Sequence, residues 1–233
     1  MKQLFNYSCI ALILTIYSCN THVEKPPSNG AEFFPLTVGK IWVYDVSEII
    51  YDSLIQNKKK TYQEQYEIVD QIKSQLNEDT YVIYISTRSD ESSPWVYSQT
   101  WSAKISVLKE VIVNEENIAY LKILLPIRDG LSWKGNKYNT IESLRTNGRI
   151  DDFTIKDFKK PYKEFNSTFK VEESNDVNLS YSDIRYSLYA ENVGLVYRIN
   201  QYIEYCDQSD CFGQGIKKHE VTKIETLKSY DFK

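Results

Sequence analysis

Leu195-Val196-Tyr197-Arg198-Ile199-Asn200-Gln201-Tyr202-Ile203-Glu204-Tyr205 alternates with the period of a β-strand. Leu195, Tyr197, Ile199, Ile203 and Tyr205 fall on one side, and Arg198, Asn200, Tyr202 and Glu204 on the other. The first set is expected to face a core and the second to face water. Aromatic and β-branched residues suit a pleated, half-buried surface, and this chain is rich in them, with 19 Tyr, 9 Phe and 4 Trp against only 8 Gly and 6 Pro. Ala is scarce, and no long stripe at period 3.6 points to a helical bundle.

The same alternation recurs upstream. Trp42, Tyr44 and Val46 share one face of a strand over 42–52, entered through Pro35, Leu36 and a turn at Gly39. Gln56–Lys60 reads as a turn whose lysines sit at a solvated tip. Residues 61–74 place Tyr62, Tyr66, Ile68 and Ile72 on one strand face, although a helix also fits them. Tyr81–Thr87 is apolar on both faces, which predicts a central strand covered on both sides. Trp101 and Ile105 are expected to point inward from the strand that follows. Asn114-Glu115-Glu116-Asn117 is a hairpin turn before the apolar strand Ile118–Leu125, which Pro126 ends. Trp133 beside Gly135 reads as a core plug, with a pocket mouth as the functional alternative.

Residues 139–160 are the least regular, with breakers at Asn147-Gly148 and Lys160-Pro161, and are expected to form a long loop with a short helix. Phe165, Ser167, Phe169 and Val171 restore strand alternation, and Ser174–Asn178 reads as the turn after it. Asp183–Ala190 is expected to be a short helix capped by Asp183. A last strand follows over 216–227. The expected fold is mainly β: a single antiparallel curved sheet, sandwich or incomplete barrel with at most one or two short helices.

The N-terminus carries a different signal. Lys2 is followed by a mostly apolar run from Leu4 to Tyr17, and no acid precedes Glu24. The run is shorter than the roughly 20 residues needed to span a bilayer and has the length of a signal-peptide core. It ends at Ile16-Tyr17-Ser18-Cys19, which resembles the lipobox of bacterial lipoproteins. That resemblance implies cleavage between Ser18 and Cys19, a diacylglyceryl thioether on Cys19 and acylation of the new N-terminus. Each buried CH₂ contributes about 0.8 kcal/mol, so two or more chains anchor firmly. The segment Phe33-Phe34-Pro35-Leu36 through Trp42 and Tyr44 is likewise similar to the opening of small uncharacterised lipoproteins of the Gram-negative envelope, a likeness that implies a compact antiparallel β domain and no activity.

The domain reading is therefore a signal peptide over 1–18, a lipidated Cys19 with a flexible tether over 19–30, and a β-rich globular domain over 31–233. The tether, fully extended, spans up to about 36 Å. It carries no acidic run directly after Cys19, so a periplasm-facing outer-membrane location is expected. The membrane is engaged through the lipid. Cys9 leaves with the signal, which leaves Cys206 and Cys211 as an even pair in an oxidising compartment, and they are expected to form a disulfide.

Composition excludes some classes. A formal net charge of −4 argues against a nucleic-acid partner, which requires a basic stripe. Catalytic signatures are missing. The two histidines are His22, in the tether, and His219, beside Glu220 with no other ligand at metal spacing. There is no His-Glu-x-x-His, no Gly-x-Ser-x-Gly and no glycine-rich phosphate loop. Glu115-Glu116, Asp151-Asp152 and Glu172-Glu173 are adjacent carboxylates, which a strand turns to opposite faces. No cofactor, metal or catalytic residue is expected. The expected function is a non-catalytic envelope module that binds a glycan, a lipid or a protein partner. The alternatives are a carboxylate-dependent hydrolase of envelope polymers and an acyl-chain carrier. The aromatic excess reads either as strand packing or as a platform for sugars.

Overall fold

The computed structural model describes residues 29–52, 55–76, 78–139 and 152–232. Ser18, Cys19, most of the tether, Asn147-Gly148 and Asp151 lie outside the described residues. No helix among the described residues is long and apolar enough to cross a membrane.

Twelve strands follow a short 3-10 turn at Ala31–Phe33. They are β1 (Lys40–Asp52), β2 (Ile55–Ile72), β3 (Thr80–Arg88), β4 (Val96–Ile105), β5 (Glu110–Glu115), β6 (Ile118–Leu124), β7 (Ser132–Lys134), β8 (Asp152–Tyr162), β9 (Phe165–Val177), β10 (Tyr181–Ala190), β11 (Gly194–Tyr205) and β12 (Lys217–Phe232). All belong to one antiparallel sheet ordered β6-β5-β4-β3-β2-β1-β12-β11-β10-β9-β8-β7. Each strand pairs with its neighbour in sequence except β6 and β7, which form the two edges, and β1 also pairs with β12.

The sheet curls until its two edges meet. The Leu121 amide donates to the Gly135 carbonyl at 2.8 Å, and the Trp133 indole donates to the Leu121 carbonyl at 2.7 Å. The result is a nearly closed up-and-down barrel, which removes the exposed strand edges an open sheet would carry. Trp133 plugs this seam, as expected, with its ring 6.1 Å from Phe153. Gly135 is required there, because a Cβ on it would lie 2.3 Å from the Phe153 ring.

In such a meander the ends alternate. The chain enters at the end that holds the start of β1 and the β2–β3, β4–β5, β8–β9 and β10–β11 turns, here the basal end. Phe33 is fully buried there, 5.1 Å from Phe169 and edge-on to it. The Asn192 amide donates to the Glu32 carbonyl at 2.8 Å and ties this segment to the β10–β11 turn. The N-terminal segment thus closes the base. The opposite, distal end carries the β3–β4, β5–β6, β9–β10 and β11–β12 turns. Cys206 and Cys211 sit in the last of these with their Sγ atoms at bonding distance and their Cα atoms 5.8 Å apart, as expected.

Trp42, Tyr44 and Val46 face the interior as their period predicts, with Tyr66, Ile68, Trp101, Phe169 and Val171. Several expectations are corrected. Asp183–Ala190 is strand β10 and not a helix, because Asp183 pairs along its own strand face with Arg185 at 2.8 Å and does not cap. Asp152–Lys160 is strand, not loop. Pro161 is tolerated because β7 pairs only with Asp152–Thr154 and leaves that edge of β8 without a ladder bond to lose. Asp157 and Lys159 take positive φ where the register shifts, as in bulges. Gln56–Lys60 lies within β2, where Lys58 and Lys59 pair with Ile50 and Ile49, so the lysines are solvent-facing without forming a turn. Ser174–Val177 extends β9, and the turn falls at Asn178, whose side chain accepts from the Ser180 and Tyr181 amides. β3 is covered on one side only. Ile83 and Ile85 are buried, while Tyr84 is 45% exposed and rests on Tyr97. Ile72 is exposed, because β2 shifts register after Ile68.

The largest correction concerns β11. Val196 and Arg198 face the interior. Tyr197 faces outward and packs on Tyr186 and Tyr162, whereas Ile203 is buried and Leu195 packs against the core, as expected. Both faces of this strand carry apolar residues, so alternation defines the two faces without saying which is inside.

Candidate functional site

The interior is graded along the barrel axis. Reading each inner face from base to distal end gives Ile68, Tyr66, Glu64 on β2 and Val111, Val113, Glu115 on β5. The same direction gives Phe169, Val171, Glu173 on β9, Val196, Arg198 on β11, and Leu227, Glu225, Lys223 on β12. Period two keeps each set on one face. Apolar side chains therefore fill the base and ionised ones gather above them.

The ionised groups form one ladder across the lumen. Lys223 Nζ lies 2.9 Å from Glu64 and 3.7 Å from Glu225. Arg198 holds Glu225 through Nε and through Nη2, the latter at 2.9 Å to Oε1. The Tyr66 hydroxyl donates to Glu225 at 2.5 Å and accepts from Arg198 Nη2 at 2.9 Å. Arg198 Nη1 then reaches Glu115 at 3.0 Å, and Glu115 pairs with Lys122 at 3.2 Å. Glu225 is only 2% exposed. Arg198 keeps 15% of its side chain accessible and lines two cavities of the interior.

Protonation follows from this geometry. Burial pushes the Glu225 carboxyl up, but Arg198 and then Lys223 outweigh burial and hold it far below the usual carboxylate range. Burial likewise opposes ionised Glu115, and Lys122 and Arg198 overcome it. Arg198 and Lys122 are both held more firmly protonated, against burial, chiefly by Glu225 and Glu115 respectively. Glu64 moves the other way: burial raises it, Lys223 opposes, and the neighbouring Glu225 adds to the rise. Burial pushes the Tyr189 hydroxyl up to about 12.

Two cavities flank the ladder. An apolar one of about 70 Å³ lies at the base among Phe34, Leu36, Trp42, Tyr44 and Ile83. A polar one of about 250 Å³ lies toward the distal end and is lined by Glu116, Tyr120, Glu173, Arg185, Asn200 and Lys223 among others. Trp101, Glu115, Lys122 and Arg198 line both and form the partition between them. The Trp101 ring meets Tyr66 edge-on at 5.2 Å and carries the Arg198 guanidinium 5.6 Å from its centroid. Trp101 is 7% exposed, and its indole N–H is buried with no acceptor among the described residues.

The residues singled out in the sequence are placed as follows. Glu172 faces outward to Lys156 and Lys170, while Glu173 faces the chamber, as adjacent strand residues must. Glu115 lies in the ladder and Glu116 at the turn. His219 lies near the distal end of β12, half-exposed, with Nδ1 3.7 Å from Asp52. Among the described residues no three His, Cys, Asp or Glu side chains group as a metal site. The ladder itself escaped the sequence reading. A signal for it exists: Val111-Val113-Glu115, Phe169-Val171-Glu173 and Tyr66-Glu64 each run from apolar to charged on one parity.

No family model matches the chain, and a search among curated proteins finds no match.

Proposed function

We propose that the protein is a non-catalytic binding module, anchored by lipid on Cys19 to the bacterial outer membrane and facing the periplasm, whose barrel interior holds a small polar ligand. The observation that carries this reading is the unfilled polar chamber of about 250 Å³ at the end opposite the one where the chain enters. An engineered apolar cavity of 150 Å³ takes up benzene, so this chamber has room for a molecule of about ten non-hydrogen atoms by proportion. A tether leaving the base directs the chamber away from the bilayer, toward solutes in the aqueous compartment.

The grading of the interior favours a polar ligand over the acyl-chain alternative, because the apolar cavity has less than half the volume that benzene needs. It also supports a binding role over glycoside hydrolysis. That chemistry needs one carboxyl kept protonated and free to act as general acid, whereas Glu115 and Glu225 are both held ionised by the same guanidinium and Glu64, though its pKa is raised, is tied to Lys223 within the ladder. A glycan unit or another small hydroxylated solute fits this reading better than a protein partner, for which a filled core with one exposed apolar patch is the expected form.

The test is mass spectrometry of protein extracted from its own membranes under non-denaturing conditions. The reading predicts an acylated N-terminal Cys19 and one small molecule held non-covalently per chain. A bare thiol or an N-terminal Met1 removes the anchor. A chain with no bound solute, and no affinity for any small solute, removes the binding role.

A further inference from the structure

Resting on the reading of the interior as a binding site, the geometry points to a ligand class: a small amine-bearing molecule that also presents an acceptor oxygen, with carboxylates and phosphates excluded.

The cations of the polar chamber are already committed. Arg198 is held by Glu225 and Glu115, Lys122 by Glu115, Lys223 by Glu64 and Arg185 by Asp183. An anion entering the chamber would have to take one of these from its partner and leave a buried carboxylate unpaired, which is the costly way to break an ion pair. The acids are not all committed. Glu173 lines the chamber and accepts a long hydrogen bond, 3.3 Å, from the Ser187 hydroxyl; its charge helps to keep Lys122 protonated, but no Lys or Arg lies within ion-pair distance of it among the described residues. Glu116, at the distal turn of the same chamber, also has no such partner among them. Among the described residues the chamber therefore holds carboxylates without an ion-pair partner and no cation without one.

A second observation is independent of charge. The buried indole N–H of Trp101 lacks an acceptor among the described residues. A buried donor left unmatched is costly, and an oxygen of the ligand placed against the partition would satisfy it once the Trp101 ring tilts to present its nitrogen, which otherwise has almost no accessible surface. An ammonium at Glu173 and an ether, hydroxyl or carbonyl oxygen at Trp101 together use the two uncommitted groups. They fit within the volume of about ten non-hydrogen atoms.

The experiment is a saturation-transfer NMR screen of the intact, lipidated chain in detergent micelles. It uses three shape-matched sets of about ten non-hydrogen atoms each: amino alcohols and amino ethers, uncharged alcohols and amides, and carboxylates. The amine set should bind best and the carboxylates not at all. Amine binding should fall at least tenfold in Glu173→Gln and several-fold in Trp101→Phe, which keeps a ring in the partition, and Glu164→Gln on the outer β8–β9 turn should leave it unchanged. If Trp101→Phe does not fold, the ranking of the three sets on the wild-type chain and the response of Glu173→Gln decide. Carboxylates or uncharged fragments binding as well as the amines, or amine binding unmoved by Glu173→Gln, overturns the ligand class while leaving the interior as a binding site. If no fragment of any set binds, the binding role itself falls, and the ligand class with it.

Discussion

Arg198 on β11 reaches across the barrel to Glu115 on β5, Nη1 to Oε1 at 3.0 Å, while its remaining nitrogens hold Glu225 on the neighbouring strand β12. In the sheet order β11 and β5 are far apart, so only closure of the barrel brings them together. The contact fixes the opposite walls to one another, and it divides the apolar base from the polar chamber.

Removing one partner of this strut should be severe. Glu225→Gln leaves the buried guanidinium short of charge, and loss of one member of a buried pair costs about 3–5 kcal/mol. Urea unfolding should register the loss. Arg198→Met combined with Glu225→Leu should recover a substantial part of it, since replacing both charges removes the orphan.

The strut also sets an acid limb. The Glu225 carboxyl is held below its unfolded value of about 4.3. Its contribution is therefore fully present above that value and lost as pH falls through the folded pKa. Stability of the wild-type chain should fall as the medium is acidified below about pH 4.3, and Glu225→Gln should fall less steeply. Glu64, whose pKa is raised, has the opposite sign. Its contribution is present below the ordinary carboxyl range and lost as pH rises through the folded pKa, so Glu64→Gln should remove that loss. Unfolding free energies measured across the acid range check both slopes.

The seam is testable at Gly135. Adding a methyl there places carbon 2.3 Å from the Phe153 ring. Gly135→Ala should destabilise by about 1–3 kcal/mol through overpacking, and Phe153→Leu in the same chain should relieve it. A calorimetric melt is sufficient to read both.

Trp133 holds the same seam by a hydrogen bond to the Leu121 carbonyl at 2.7 Å. Trp133→Phe keeps the ring but removes the donor, at a cost of about 1–3 kcal/mol for the stranded acceptor. Amide exchange should quicken at Leu121, whose N–H pairs with Gly135 across the seam, before it quickens at Val46 on the central strand β1.

Much of this fold is legible in the sequence, because strand period is a local property. Trp42, Tyr44 and Val46 announce their buried face, and the Asn114–Asn117 turn appears where expected, with Glu116 and Asn117 at positive φ. The site is less legible. Alternation separates Arg198 from Tyr197 but does not say which looks inward, since Tyr186 and Tyr162 cover the outer side of β11 as effectively as a core. The charged groups that complete the ladder come from β2, β5, β6, β11 and β12, and nothing local reports that closure will bring them together. Asp183 looked like a helix cap because its partner Arg185, two residues on, is an equally good partner along a strand.

The most direct measurement is a nitrogen–proton NMR spectrum of the four tryptophan indoles, recorded with and without the best amine fragment. Trp42 and Trp133 already donate to the Val193 and Leu121 carbonyls, while the Trp101 N–H has no acceptor among the described residues. The Trp101 signal should shift on binding while those of Trp42 and Trp133 stay in place. A Trp101 signal that does not move while the fragment is bound would contradict a ligand seated in the barrel.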